Sequence, residues 1–497
     1  MAAYEGIDVR GPDRFDRLED SLDGVFQPKQ IAKRLNAEVT KAVEFVLVEH
    51  GYVDKDYRST FYGFYSKKGR SYRRDCVRLH FFSGSVTYDE SRTNIVSQDG
   101  CPGDHYFGYI VLRPTMTATL GRSVLAPGIR VAAKGRAIQS EHRVNVLGHT
   151  FAVWGFPSMA QPADIAVCAH VSCWTILRYY SERFPQCREY LLYDMAQLAS
   201  SFDPGGLIPS LGLSVWEAER VFQAAGCFPL VIAKRRKRDD DEAPVEDREF
   251  LEQLLAYLES GFPLFVEIGS RQHAVVAVGY SWRDQSSASL HDEAHTWEQV
   301  ESLLMVDDNR LPYRSVPPTP TPESIATNSY TGAEFDSFIV VLPERVHFPA
   351  DAVDALSIHL AVALKKGLGV EEGGVLMRRY FMTTISELRG HAREYESQMG
   401  NVLVRLLMEV DSPHYVWVIE FCSQNQWDHG HVTARAIVDA SASKRDPVAT
   451  VLLHDEQQAI VFDRSSGTQL HKKEQLRRAT GVPLPRMEVN LGQVVRA

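Results

Sequence analysis

The chain has 497 residues, of which 44% are hydrophobic and 24% charged. At about 150 residues per domain this leaves room for roughly three domains with sizeable cores, which excludes a wholly disordered chain, a collagen-like fibre and a disulfide-stapled miniprotein. Its 54 Lys and Arg against 64 Asp and Glu give a net charge of −10, so overall charge gives no reason to expect a nucleic-acid or anionic-membrane partner.

The opening MAAYEGIDVRGPDRFDRLED has no apolar stretch, so no secretory signal is expected. No run approaches the ~18 apolar residues of a spanning helix, and no membrane partner is expected. The seven cysteines (Cys76, Cys101, Cys168, Cys173, Cys187, Cys227 and Cys422) contain no CxxC pair. Free thiols in a reducing cytoplasm are the expectation.

Residues 1–150 mix both element types and form an expected α+β domain. Ile31 to His50 carries apolar residues at helical spacing (Ile31, Leu35, Val39, Val43, Val46), while Val77 to Phe82 and Tyr106 to Leu112 are strand-like. Tyr57 to Arg78 interleaves aromatics with Lys67, Lys68, Arg70, Arg73, Arg74 and Arg78. Nucleic-acid backbones are bound by such mixtures, but an exposed strand pair with a solvated basic face is the expectation. Cys101-Pro-Gly-Asp104-His105 is expected to be a turn, since a productive Cys–His pair is assembled across a fold.

Residues 151–345 have the clearest pattern. Val167 to Phe184 is a helix, with Val171, Trp174 and Leu177 on one face. Ser214 to Ala225 is another, with Ser214-Val-Trp-Glu217 in capping-box form and Gly226 where a C-terminal glycine belongs. Asp247 to Glu259 is a third. Then come three strands, LFVEIG from Leu264, HAVVAVGY from His273 and SLLMVDD from Ser302. Helix first and successive strands after is an α+β layout. Two stretches read as solvated loops: Lys234 to Glu242, a basic block running into an acidic one, and Pro312 to Glu323, whose prolines forbid a central strand or helix.

Residues 346–497 form a further α+β unit. Helices are expected from Ala352 to Lys366 and from Thr384 to Glu409, followed by strands at 415–421, 432–439 and 450–455. His291-Asp-Glu-Ala-His295 has the spacing of a zinc-binding HExxH helix without its glutamate, and is expected to be a loop or short helix. His429 and His431 give two ligands, which do not close a metal site. No phosphate loop and no dinucleotide fingerprint occurs.

Three residues of the middle segment can carry chemistry together. Cys168 opens a helix, where the partial positive charge of the helix N-terminus favours a nucleophilic thiolate. His273 opens an apolar strand. Asp307 and Asp308 end the next strand, where a carboxylate can orient an imidazole and stabilise its protonated form.

The order cysteine helix, histidine strand, aspartate strand resembles the papain-like cysteine peptidase superfamily, and most of all its bacteriocin-processing-type branch and the bacterial cytoplasmic relatives of that branch. The matching residues are Gln161, CAHVSCWTILRYY (168–180), GFPLFVEIGSRQHAVVAVGY (261–280) and LLMVDDNRLPY (303–313), within about 150 of the 497 residues. The resemblance implies a papain-like core, an N-terminal catalytic helix packed on an antiparallel sheet. It implies Cys168 as nucleophile, His273 as general base and then acid, Asp307 rather than Asp308 as the orienting carboxylate, and Gln161 as donor to the oxyanion. Ala169 stands where the family often has glycine, no proline follows Asp307, and Cys173 is a rival thiol set deeper in the helix.

The expectation is therefore a cytoplasmic cysteine hydrolase, a peptidase or isopeptidase acting on a protein or peptide, with no cofactor and no metal. Two alternatives stay open: an acyl or amide transferase or deamidase on the same fold, and an inactive papain-like scaffold between two flanking domains. Substrate choice is expected to lie in the outer domains.

Overall fold

The computed structural model describes residues 4–22, 24–116, 120–130, 135–161, 168–199, 213–234, 248–283, 293–368, 376–444, 446, 449–463, 470–476, 482–487 and 492–493. The fold is mixed α+β, built on three large sheets that are antiparallel but for one strand pair. Among the described residues no helix is long and apolar enough to cross a membrane.

The first sheet has seven strands in the order Tyr4–Asp8, Val43–Tyr52, Cys76–Ser83, Tyr106–Leu112, Leu120–Leu125, His149–Ser158 and Ser140–Val146. Its strands are apolar on both faces because both are covered. Alternation sends Val46 and Val48 to one side, against Ile31 and Leu35 of helix Pro28–Glu38. Phe45 and Leu47 go to the other, against Tyr57 and Phe61 of helix Lys55–Gly63.

Two expectations for this unit are corrected. The helix expected to reach His50 ends at Glu38, and Val43–Tyr52 is a strand. The run from Val43 fits both periods, and its β-branched residues and place in the sheet decide for the strand. The basic aromatic stretch is not an exposed strand pair: it begins as helix Lys55–Gly63, with Tyr57 and Tyr65 buried in the core.

The central sheet runs Phe228–Ala233, Ser337–Leu342, Leu264–Ile268, His273–Trp282, Val300–Val306 and Arg314–Val316, all antiparallel. Arg136–Ala137 also pairs with the histidine strand, and Gly492–Gln493 pairs with Arg136–Ala137. Gly279 permits that approach, since a Cβ there would lie 2.1 Å from the Arg136 carbonyl oxygen. Helix Cys168–Arg183 is buried on every side from Ala169 to Tyr180 because it lies between two sheets. Ser172 donates to the Ala274 carbonyl of the central sheet (3.3 Å), and Trp174 Nε1 and Arg178 donate to Asp56 of the first unit (3.1 and 2.9 Å).

The proline-bearing stretch is not a solvated loop throughout. Arg314–Val316 is an edge strand, Pro322–Ala326 a short helix, and Tyr313 and Val316 are buried. An edge needs fewer N–H donors than a central strand, so the prolines that follow are tolerated there. All of the charged stretch after Lys234 (235–242) lies outside the described residues, as does His291.

The third sheet runs Glu293–His295, Leu376–Thr384, Tyr415–Cys422, Ala434–Asp439, Thr450–His454, Gln458–Asp463 and Leu470–Gln475. Its first strand comes from the middle third of the chain and is the parallel one. The helix expected over 384–409 is three pieces, Ile385–Glu394, Glu396–Met399 and Asn401–Glu409, broken at Tyr395 and at Gly400, the latter with φ +80°. One hydrophobic core spans the central and third sheets. A buried ionic chain crosses it: Arg379 bonds to Glu259 (2.9 Å) and to Glu420 (2.8 Å), and Arg435 bonds to Glu420 (2.6 Å).

Glu420 thus balances two buried guanidinium groups. Glu420→Gln is expected to cost about 3–5 kcal/mol of stability by leaving that charge uncompensated, measured as a lowered urea midpoint. A change below about 1 kcal/mol would mean that Glu420 is not what compensates the two guanidinium groups.

Candidate active site

Leu264–Ile268 and His273–Trp282 form a hairpin in which Ile268 pairs with His273, so His273 is the first residue of its strand. The connecting turn is braced. The Gly269 N–H donates to the Asp336 carboxylate (2.6 Å), and Arg271 pairs with Glu334 (2.7 Å).

The neighbouring strand supplies the carboxylate. Val276 is opposite Val306. Continuing that register puts Asp307 opposite Val275, and His273, two residues away, lies diagonally across on the same face. His273 Nε2 is 3.1 Å from Asp307 Oδ1 and 3.8 Å from Asp308 Oδ1.

The cysteine arrives from the helix. Ser172, bonded to Ala274, lies one turn after Cys168, and residues four apart share a helix face. Cys168 therefore sits over the start of the histidine strand. Its half-buried thiol lies close enough to the His273 ring to help raise the ring's pKa. With Nε2 used by the carboxylate, Nδ1 is the ring nitrogen left for sulfur.

Asp307 is 3% exposed, yet both oxygens are fully engaged. Oδ1 accepts from His273, from the Asn309 N–H (3.0 Å) and from the Asn309 amide (3.3 Å); Oδ2 accepts from Arg314 (3.1 Å) and Tyr330 (3.2 Å). Burial alone would raise its pKa, but the bonds and charges of His273, the Asn309 N–H and the Arg314 charge together hold it well below the usual carboxylate range. His273 responds in the opposite sense. Burial would lower its pKa, but the hydrogen bonds to Asp307 and Cys168 and the charges of Asp307 and Asp308 push it up to about 10. Asp308 is pushed up to about 7, first by burial and then, against the pull of the His273 charge, by Asp307. Of these two adjacent buried carboxylates Asp307 ionises first, because it has the larger set of donors.

Gln161 is half-buried, and 162–167, between it and Cys168, lie outside the described residues. Among the described residues no hydrogen bond joins its amide to the site. Cys173 is fully buried and burial raises its thiol pKa far above the ordinary value, which suits packing. Cys101 precedes the short turn helix Pro102–His105, and His105 bonds to Asp99 and Ser83. His295 is buried in the third sheet, and His429 bonds to the Asn425 carbonyl of its own turn.

His273, Asp307 and Asp308 each offer a ligand atom within 4.8 Å of the others, a set that could hold a cation. The Arg314 guanidinium already provides a cation beside Asp307 Oδ2 (3.1 Å). The sequence reading missed Arg314 and Tyr330. Arg314 sits in the stretch read as a loop, and Tyr330 carries no local signal, because both act across the fold.

No protein-family model, no curated protein and no solved structure matches the chain.

The pH dependence has a definite sign. The His273 pKa is higher folded than the ~6.5 of a free imidazole, so its contribution to stability is complete below about 6.5 and is lost as pH rises through about 10. Asp307 is depressed, so its contribution is present above about 3.9 and is lost as pH falls through the lower folded value. In protein labelled with ¹⁵N-histidine, the His273 ring is expected to remain doubly protonated at about pH 8 and to titrate near 10, with Asp307→Asn bringing the midpoint below about 7. A midpoint near 6.5 in the unsubstituted protein would contradict this reading.

Proposed function

We propose that the chain is a cysteine hydrolase, a peptidase or isopeptidase, with a papain-like core formed by the cysteine helix and the central antiparallel sheet. The observation that carries this reading is that His273 is hydrogen-bonded to a buried, charged Asp307 on the neighbouring strand, with the Cys168 helix start beside the ring. Seven free cysteines fit a reducing compartment and a cytoplasmic location.

The chemistry follows from that arrangement. The attacking form of Cys168 is its thiolate, and the ring beside it is a protonated His273. Sulfur attacks the carbonyl carbon of the scissile amide, and the C=O electron pair moves onto oxygen. When the tetrahedral intermediate collapses, the C–N bond breaks and His273 gives its proton to the leaving nitrogen. The acyl group is then a thioester on Cys168. Neutral His273 takes a proton from water as its oxygen attacks the thioester, and the acid leaves as the thiolate–imidazolium pair is restored. Asp307 stays ionised throughout and fixes the ring through Nε2. From the family resemblance, Gln161 would donate its amide to the oxyanion.

Incubation with a mixed peptide library, followed by mass spectrometry of new termini, tests the activity. Cys168→Ala is expected to abolish cleavage, and Asp307→Asn to reduce it by about 10²–10⁴. Cys173→Ser is expected to act only through stability. Cleavage that persists in Cys168→Ala would refute the assignment.

A further inference from the structure

A groove of about 550 Å³ lies where the first unit meets the loop that follows Asp307. One wall is helix Pro28–Glu38, which contributes Gln30, Lys33, Arg34 and Glu38; the other includes Arg310 and Ala160. The groove is linked to the candidate site through the loop that follows Asp307. The Asn309 N–H bonds to Asp307, Arg34 donates to the Asn309 carbonyl (2.9 Å), and Arg310 is the next residue. The Leu311 N–H donates to Glu38 (2.9 Å), which anchors the loop to the helix.

The charge of this groove runs against that of the whole chain. Lys33, Arg34 and Arg310 line it, and Glu38 is the one acid among the described lining residues. Glu38 is already committed, since it pairs with Arg130 and bonds to the Leu311 N–H as well as approaching Arg310. Lys33 is exposed and the Arg310 side chain is 54% exposed, so both charges face solvent across the groove. No aromatic side chain lines it among the described residues. Single-stranded nucleic acids are held by aromatic stacking as well as by positive charge, whereas an extended acidic peptide needs only cations and amide donors such as Gln30.

We propose that this groove selects substrates carrying Asp or Glu on one side of the scissile bond, the first unit thereby serving as the specificity element of the hydrolase. The proposal rests on the hydrolase reading above. Discrimination comes from like-charge exclusion as well as attraction, so basic flanks are rejected. Being electrostatic and exposed, the preference weakens as salt rises.

The test uses the full chain and three peptide sets that share their central residues and differ in having Glu, Ala or Lys flanks. Expected kcat/KM falls from Glu to Ala to Lys flanks, with about ten-fold or more between the extremes at low salt. The charge-reversed variant Lys33→Glu with Arg310→Glu is expected to lose on Glu flanks and gain on Lys flanks, an inversion that misfolding cannot produce. Lys33→Gln alone is expected to shift the ratio part of the way. Equal rates on all three sets, or equal loss on all three in both variants, would overturn the groove assignment while leaving the hydrolase standing. Absence of cleavage in every set would instead count against the hydrolase itself. Inhibition by a single-stranded oligonucleotide at lower concentration than by an uncleavable Glu-rich peptide would assign the groove to nucleic acid and overturn the proposal.

Discussion

A carboxylate that is almost wholly removed from water stays charged only if the protein replaces its hydration. Asp307 meets that condition with donors from four residues: His273 on the next strand, Asn309 in its own turn, Arg314 on the edge strand and Tyr330 beyond the short helix. Removing any one leaves part of a buried charge unpaired. The charge in turn keeps the His273 ring protonated and fixes its orientation beside Cys168. The other features of the site depend on this one desolvated ion.

That dependence explains why three units share so many contacts around the loop after Asp307. Leu311 is packed in the core beneath helix Pro28–Glu38, and its N–H is held by Glu38. The Tyr313 hydroxyl, on a fully buried side chain, accepts from the Phe156 N–H (2.6 Å). On the far side, Tyr280 of the histidine strand donates to Glu259 (3.1 Å), which is part of the ionic chain reaching Glu420. The histidine strand and the aspartate turn are therefore clamped from both flanks, which suits a constellation whose geometry tolerates little movement.

Much of the middle third was legible because its local signals agree with one another. The capping box at Ser214 and Glu217 forms, Gly226 adopts φ +88°, and the helix is Val215–Ala224. The apolar strands and the Cys168 helix are where periodicity and burial place them. The placement of Cys168, His273 and Asp307 near one another follows from strand adjacency and helix phase. Local pattern failed where two periods fit the same residues, as at Val43, and where a single glycine interrupts a helix, as at Gly400. Arg314 and Tyr330 were illegible for a different reason: their partner is reached only after the edge strand and the Pro322–Ala326 helix fold back over the turn.

The central claim is that the His273–Asp307 pair makes Cys168 the most reactive thiol of the chain. Cys101 is the more exposed cysteine and provides an internal competitor. The decisive measurement is limited alkylation of the intact protein at neutral pH with substoichiometric iodoacetamide, followed by peptide mapping. The account predicts that Cys168 takes the first label and that His273→Ala slows its modification by about ten-fold or more. First labelling of Cys101, with Cys168 unaffected by loss of the imidazole, would contradict it.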